Sequence, residues 1–269
     1  MLLKIKQAAL IAAIFFGVAC VAIYFLQIRL IFPAYLTQPV PDNWVPDAGD
    51  SATQAMLNSS CGKIHAVIWK IKKAKGTIMM FHGNGESVAS INDYAFAFHS
   101  LGYNLMAWDY PTYGRSSTCF FSQQELLNDA ETAYQWLSKQ ENPKKIFIFG
   151  YSIGTGIALS VAAKHQQNPV FLVAAYDSIT NVAKDKLPTV VPLSLIMRYP
   201  MQTNIWVNAN KQPIYLIHGD IDKLIKPARA ITLVEQAQGK AKIEWVNDAG
   251  HADDALFIYR NQWLKRLLP

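Results

Sequence analysis

The chain has 269 residues, of which 51% are hydrophobic and 16% charged, with a formal net charge of +6. That length and apolar content suit one sizeable α/β domain with a filled core and exclude a disordered chain. Lys and Arg are scattered in ones and twos with no long basic run or recognisable reading helix, so the positive balance describes a mildly basic surface compatible with anionic lipid headgroups, not a nucleic-acid partner.

The first element is apolar. Residues 8–26 carry no charge, matching the roughly 20 apolar positions that a membrane-crossing helix needs. Lys4 and Lys6 precede this run and Arg29 follows it, which by the positive-inside bias predicts a single-pass signal anchor over 1–32 with the rest of the chain on the non-cytoplasmic side. A cleaved signal peptide is the alternative; the length of the run and the lack of an Ala-x-Ala site after it favour the anchor. Residues 33–59, with Pro33, Pro39, Pro41 and Pro46 and no sustained period, read as a linker, and 60–269 as the catalytic-sized domain.

Residues 63–71 alternate as an antiparallel edge strand would, and 77–81 form a short buried strand running into His82-Gly83-Asn84-Gly85. A helix is predicted over 88–101, then a strand over 104–108 ending in Asp109-Tyr110, then a helix over 123–140. Ile146 to Phe149 is an apolar strand, followed by Gly150-Tyr151-Ser152-Ile153-Gly154 and a small-residue helix. Further strands are expected at 170–176, 213–217 and 242–246, with helices at 228–238 and 252–268. Between them, 179–211 is broken by Pro188, Pro192 and Pro200 and reads as a short apolar cap over the strand ends. Strands alternating with helices imply a mostly parallel central sheet with helices on both faces, whose site lies beyond the carboxyl ends of the strands.

The chemistry converges on that edge. Gly-x-Ser-x-Gly between a strand and a helix is a nucleophile elbow, with Ser152 at the tip of a turn that only glycines at 150 and 154 leave room for. A serine hydroxyl needs a base, and the base needs an orienting acid. His251 leaves the last strand in Asp248-Ala249-Gly250-His251, so it falls at the same edge and after any acid in the chain order Ser, Asp, His. His65, His99 and His165 read as packing or surface residues, and His82 and His218 as loop residues that hydrogen-bond locally. Asp220, Asp222 and Asp177 are the candidate acids, and spacing alone does not separate the first two. The oxyanion that forms during acyl transfer needs backbone donors, expected from Ile153 and from Asn84 in the loop after the strand at 77–81. Cys61 and Cys119 pair or remain thiols according to compartment, and no Cys/His spacing resembles a metal site.

Taken together, these motifs resemble the α/β-hydrolase superfamily and, within it, the Bem46-like, ABHD13-type membrane-anchored hydrolases. The resemblance rests on the apolar anchor, Arg29-Leu30-Ile31-Phe32-Pro33, Phe81-His82-Gly83-Asn84-Gly85, Asp109-Tyr110 through Tyr113-Gly114-Arg115-Ser116, the elbow, and Gly250-His251. Its His-Gly-x-x-Asp pattern falls on His218 to Asp222 and implies Asp222 as the acid. The sequence departs from that pattern at Pro111-Thr112 and at Cys119-Phe120-Phe121, near the expected pocket mouth. The resemblance implies a cofactor-independent serine hydrolase of esters or thioesters with a catalytic triad of Ser152, Asp222 and His251. The apolar cap and the anchor point to acyl or lipid-like substrates; a peptidase of the same fold and a catalytically silent scaffold are the alternatives.

Overall fold

A computed structural model describes residues 1–37, 40–47, 51–166 and 168–269 of the chain; Pro39 of the expected linker lies outside the described residues. Helix α1 (Leu2–Ile31) leads, followed by β1 (Ser51–Ser59), β2 (Gly62–Lys70), β3 (Thr77–Phe81), α2 (Asn92–Ser100), β4 (Asn104–Trp108), α3 (Gln123–Ser138), β5 (Ile146–Tyr151) and α4 (Gly154–Lys164). The second half comprises β6 (Val170–Val173), α5 (Ile179–Lys184), α6 (Leu193–Ile196), α7 (Thr203–Ala209), β7 (Ile214–Gly219), α8 (Pro227–Gln236), β8 (Ala241–Val246) and α9 (Asp254–Leu267).

All eight strands form one sheet in the order β1-β2-β4-β3-β5-β6-β7-β8. β1 and β2 pair antiparallel and β2 pairs antiparallel with β4; every other pair is parallel. The central strands β3, β4, β5 and β6 are buried at every residue, as parallel strands covered on both faces must be, which is why they read as continuous apolar runs. Alternate side chains feed two cores. Met79, Ile148, Leu172 and Leu216 pack with residues of α3, α4 and α8 on one face, and Ile78, Phe149, Phe171 and Val173 pack with α2 and α9 on the other.

The structure departs from the sequence expectations in three places. Residues 51–59, expected within the linker, form β1, and β1 rather than the strand at 62–70 is the sheet edge. β1 was obscured because an edge strand needs few apolar residues: its burial alternates between exposed and intermediate, and its two-residue turn, Ser60-Cys61, lacks the usual Asn-Gly signal. The turn closes on Gly62 at φ +110, a value that only glycine takes without strain. Helix α2 also starts later than expected, at Asn92, because residues 88–90 are spent in a turn that carries the loop after β3 back over the sheet.

In the segment expected as a cap, α5 and α6 lie near the carboxyl ends of the strands, whereas α7 packs on α4 and α8 at the side of the sheet. Cys61 and Cys119 form a disulfide with Cα atoms 5.7 Å apart. The β1–β2 turn is brought to Cys119 by a pair of bonds between Lys63 and Ser117, whose N–H and Oγ meet the Lys63 carbonyl and N–H at 2.8 and 3.0 Å.

Candidate active site

Ser152 sits between β5 and α4 at φ +52, a left-handed conformation that costs a serine on the order of 1–3 kcal/mol and that the surroundings must impose. They do so with three hydrogen bonds. The Ser152 N–H donates to the Val173 carbonyl of the neighbouring strand at 3.0 Å, while the Thr155 N–H and Oγ donate to the Ser152 carbonyl at 2.9 and 2.7 Å. The glycines of the elbow are explained by close approach. A Cβ on Gly154 would lie 2.1 Å from the Phe81 carbonyl oxygen, and one on Gly150 would lie 2.8 Å from the Thr155 Cα, so α4 begins against the end of β3 only because both positions lack a side chain.

His251 Nε2 lies 2.8 Å from Ser152 Oγ, and His251 Nδ1 lies 2.7 Å from Asp222 Oδ2. The three residues come from the ends of β5, β7 and β8, so the sheet itself sets their separation. The His251 ring is held from behind: Tyr151 stacks on it at 5.7 Å and its hydroxyl donates to the His251 carbonyl at 3.1 Å. The loop carrying His251 can approach β7 because Gly219 has no Cβ, which would otherwise stand 2.2 Å from the Ala249 carbonyl oxygen.

Asp222 is 3% exposed. Its Oδ1 accepts from the Leu224 and Ile225 N–H groups at 2.8 and 2.9 Å, and its Oδ2 faces both His251 and His218, the latter at 3.4 Å. Burial alone would raise its carboxyl, but the bonds from His218 and His251, the His251 charge and the Ile225 N–H outweigh it and hold Asp222 well below the usual carboxylate range. Of the other candidate acids, Asp220 is exposed. Asp177 accepts from Asn181 Nδ2 at 2.5 Å and faces the Arg229 guanidinium at 3.5 Å, so it is engaged away from His251.

Asn84 and Ile153 line the same cavity as Ser152, about 360 Å³ in volume, and among the described residues neither of their backbone N–H groups has a backbone acceptor. The loop bearing Asn84 is fixed on both sides. Glu86 accepts from the Gly83 N–H at 2.6 Å, and the His82 ring stacks on Tyr110 at 4.0 Å while its Nδ1 donates to the Gly83 carbonyl at 2.8 Å. His218 likewise bonds locally, its Nε2 donating to the Ile225 carbonyl at 2.9 Å, and so supports the loop that carries Asp222.

One histidine departs from expectation. His65, read as an edge-strand residue, is fully buried between β1 and β4, with Nδ1 3.1 Å from Asp109 Oδ2 and Nε2 2.9 Å from Gln54 Oε1. Asp109 also accepts from the N–H groups of Val88 and Arg115, so this buried pair ties the loop after β3 to the loop after β4. The glycine pattern around Gly114 carried a signal for it, since a Cβ there would lie 2.1 Å from the Asp109 carboxylate. Sequence reasoning also missed the part of α1 in the site: Ile23, Gln27, Leu30 and Ile31 line the Ser152 cavity together with Ile179 and Met197 from the segment over the strand ends.

The family described as serine aminopeptidase, S33, matches residues 72–193. The human protein named α/β hydrolase domain-containing protein 17B is 28% identical over 199 residues, covering 72% of this chain and 65% of that protein. Protein bem46 of Schizosaccharomyces pombe is 29% identical over 172 residues, covering 60% of this chain and 56% of that protein. The chain thus spans less than two thirds of the length of these curated relatives. Among solved structures, an esterase of Pyrococcus furiosus superposes with a TM-score of 0.66 at 20% identity over 87% of this chain and 97% of that one, a likeness of fold.

Proposed function

Since this chain belongs to the α/β-hydrolase superfamily, we propose that it is a serine hydrolase of carboxylic esters or thioesters. The observation that carries the reading is the continuous line from Ser152 Oγ through the His251 ring to Asp222, with contacts of 2.8 and 2.7 Å. In this mechanism Ser152 Oγ attacks the acyl carbon as His251 Nε2 takes its proton, and Asp222 stabilises the imidazolium that results. The N–H groups of Ile153 and Asn84 hold the oxyanion, a contribution of about 3 kcal/mol per donor in comparable sites. Collapse expels the alcohol or thiol, which receives the proton from His251. A water molecule then repeats the sequence on the acyl-enzyme, releasing the acid and restoring Ser152.

The family description favours a second reading, an aminopeptidase, because the same triad cleaves amides. Such an enzyme needs a carboxylate to receive the substrate ammonium, and among the described residues the cavity is lined mostly by apolar groups, with Lys186 as its charged residue and no Asp or Glu. The expected outcome is cleavage of p-nitrophenyl acetate with little or no cleavage of leucine p-nitroanilide. A preference for the anilide would replace the esterase reading by the peptidase one.

The helix Leu3–Ile31, 29 residues with an 18-residue window of mean hydropathy 2.7, is long and apolar enough to cross a membrane. On this reading α1 anchors the chain, with the domain on the non-cytoplasmic side. Lys4 and Lys6 in the first turns of the helix, ahead of its uncharged run, support that orientation, as does the Cys61–Cys119 disulfide, which persists in oxidising compartments. Protease added outside intact cells should digest the domain. Full protection until the membrane is permeabilised would reverse the orientation.

A further inference from the structure

The end of α1 is built into the body of the protein. Ile23, Gln27 and Leu30 lie four and three residues apart and so share one helix face, and that face is one wall of the cavity that holds Ser152. Gln27, 3% exposed, satisfies both ends of its amide on the segment around α6: Nε2 donates to the Ile196 carbonyl at 2.6 Å and Oε1 accepts from the Arg198 N–H at 2.7 Å. An amide at the end of an apolar helix is costly unless paired, and this pairing fixes the rotation and height of α1 against the segment over the strand ends. One turn on, Phe32 is 2% exposed and packs edge-on against Phe121 and Tyr199 at 5.2 and 5.3 Å. A tether would need none of these contacts.

The surface around this junction is apolar as well. Leu30 is 63% exposed although it lines the cavity, which places it at the rim. Val190 and Leu195, before and within α6, are exposed, as are Tyr35, Leu36 and Phe120 around the point where α1 meets the domain. Exposed apolar groups gathered about the end of a membrane-length helix mark the face that meets the bilayer. The rim of the Ser152 cavity is therefore on the membrane side of the domain, beside the helix.

We propose that α1 is a working wall of the substrate pocket: the aliphatic chain of a bilayer-resident ester or thioester passes along it to Ser152, and Ile23 and Leu30 determine which acyl lengths are accepted. This rests on the hydrolase reading above and adds the route and the residues that select the chain. A cavity of about 360 Å³ is at the small end of ligand pockets, which run from roughly 300 to 1,000 Å³. It suits a single chain rather than a two-chain lipid body, whose remainder stays in the membrane.

The test uses the full chain in phosphatidylcholine vesicles and compares kcat/KM for p-nitrophenyl acetate, octanoate and palmitate. Leu30→Trp fills the rim and should lower the ratio of palmitate to acetate by about tenfold or more, the scale on which apolar pockets discriminate chains. Leu30→Ala should move the ratio of palmitate to octanoate upward, and it serves where the larger residue prevents folding. Leu26→Trp is the control: Leu26 faces a separate groove with Phe25, Arg29 and Phe120, and the ratio should not change. Unchanged ratios in both Leu30 variants, or an equal shift in Leu26→Trp, would overturn the role given to α1 while leaving the hydrolase reading intact. If the wild type cleaves none of the three esters, the hydrolase reading fails and this proposal with it.

Discussion

Ser152→Ala is expected to lower kcat for ester hydrolysis by roughly 10⁴- to 10⁶-fold, the range found when the nucleophile of such a triad is removed. The residue has no second task that would blur the result. Its hydroxyl meets His251, while the elbow is held by the Ser152 backbone and by Thr155, which alanine leaves in place. The thermal midpoint should stay near that of the wild type, so lost activity would report lost chemistry. A variant retaining a tenth of wild-type activity would show that another group carries the reaction.

Asp222→Asn is expected to cost about 10⁴-fold in kcat, because an amide can turn an N–H toward His251 Nδ1 and select the tautomer that cannot accept the serine proton. The substitution is isosteric and keeps an oxygen for the Leu224 and Ile225 N–H groups, so the loop survives. It also has a signature in stability. Asp222 titrates below its unfolded value in the native protein, so its ionised form stabilises the fold above about pH 4, and that contribution is lost as pH falls toward the depressed native value. Denaturant titrations should therefore show wild type more stable than Asp222→Asn at neutral pH, with the gap closing below about pH 4. A gap independent of pH would mean that the carboxylate is not held by the histidines facing it.

Much of the fold was legible because the central strands obey a simple physical rule. Strands buried on both faces read as short apolar runs, and Thr77 to Phe81 and Ile146 to Phe149 announce themselves that way. The elbow was equally legible, since its glycines are required by contacts with Phe81 and Thr155 that any such turn makes. Spacing could not separate Asp220 from Asp222, and burial does: one is exposed, the other lies under His251 and His218. The fate of Cys61 and Cys119 was open for a related reason, because their meeting depends on the pairing of Lys63 with Ser117, a long-range register.

What the sequence concealed lies where polar side chains are spent on tertiary contacts. The edge strand β1 has too few apolar residues to show a period. His65 read as a packing or surface residue of an edge strand, and its pairing with Asp109 and Gln54 depends on tertiary contacts that no local pattern announces. Gln27 fell just past the apolar run, within the segment expected as the anchor, and nothing in hydropathy marked it as the residue that joins α1 to the segment over the strand ends. Hydropathy registers that a helix can cross a bilayer and is silent on which of its faces the domain uses.

Activation of Ser152 by His251 is tested by treating the full chain with a fluorophosphonate and identifying the modified residue by mass spectrometry. A single phosphonyl adduct on Ser152, absent when His251 is replaced by alanine, is the predicted result. No adduct on Ser152 in the wild type, under conditions that label a known serine esterase, would contradict it and leave a membrane-anchored scaffold with the fold but without the chemistry.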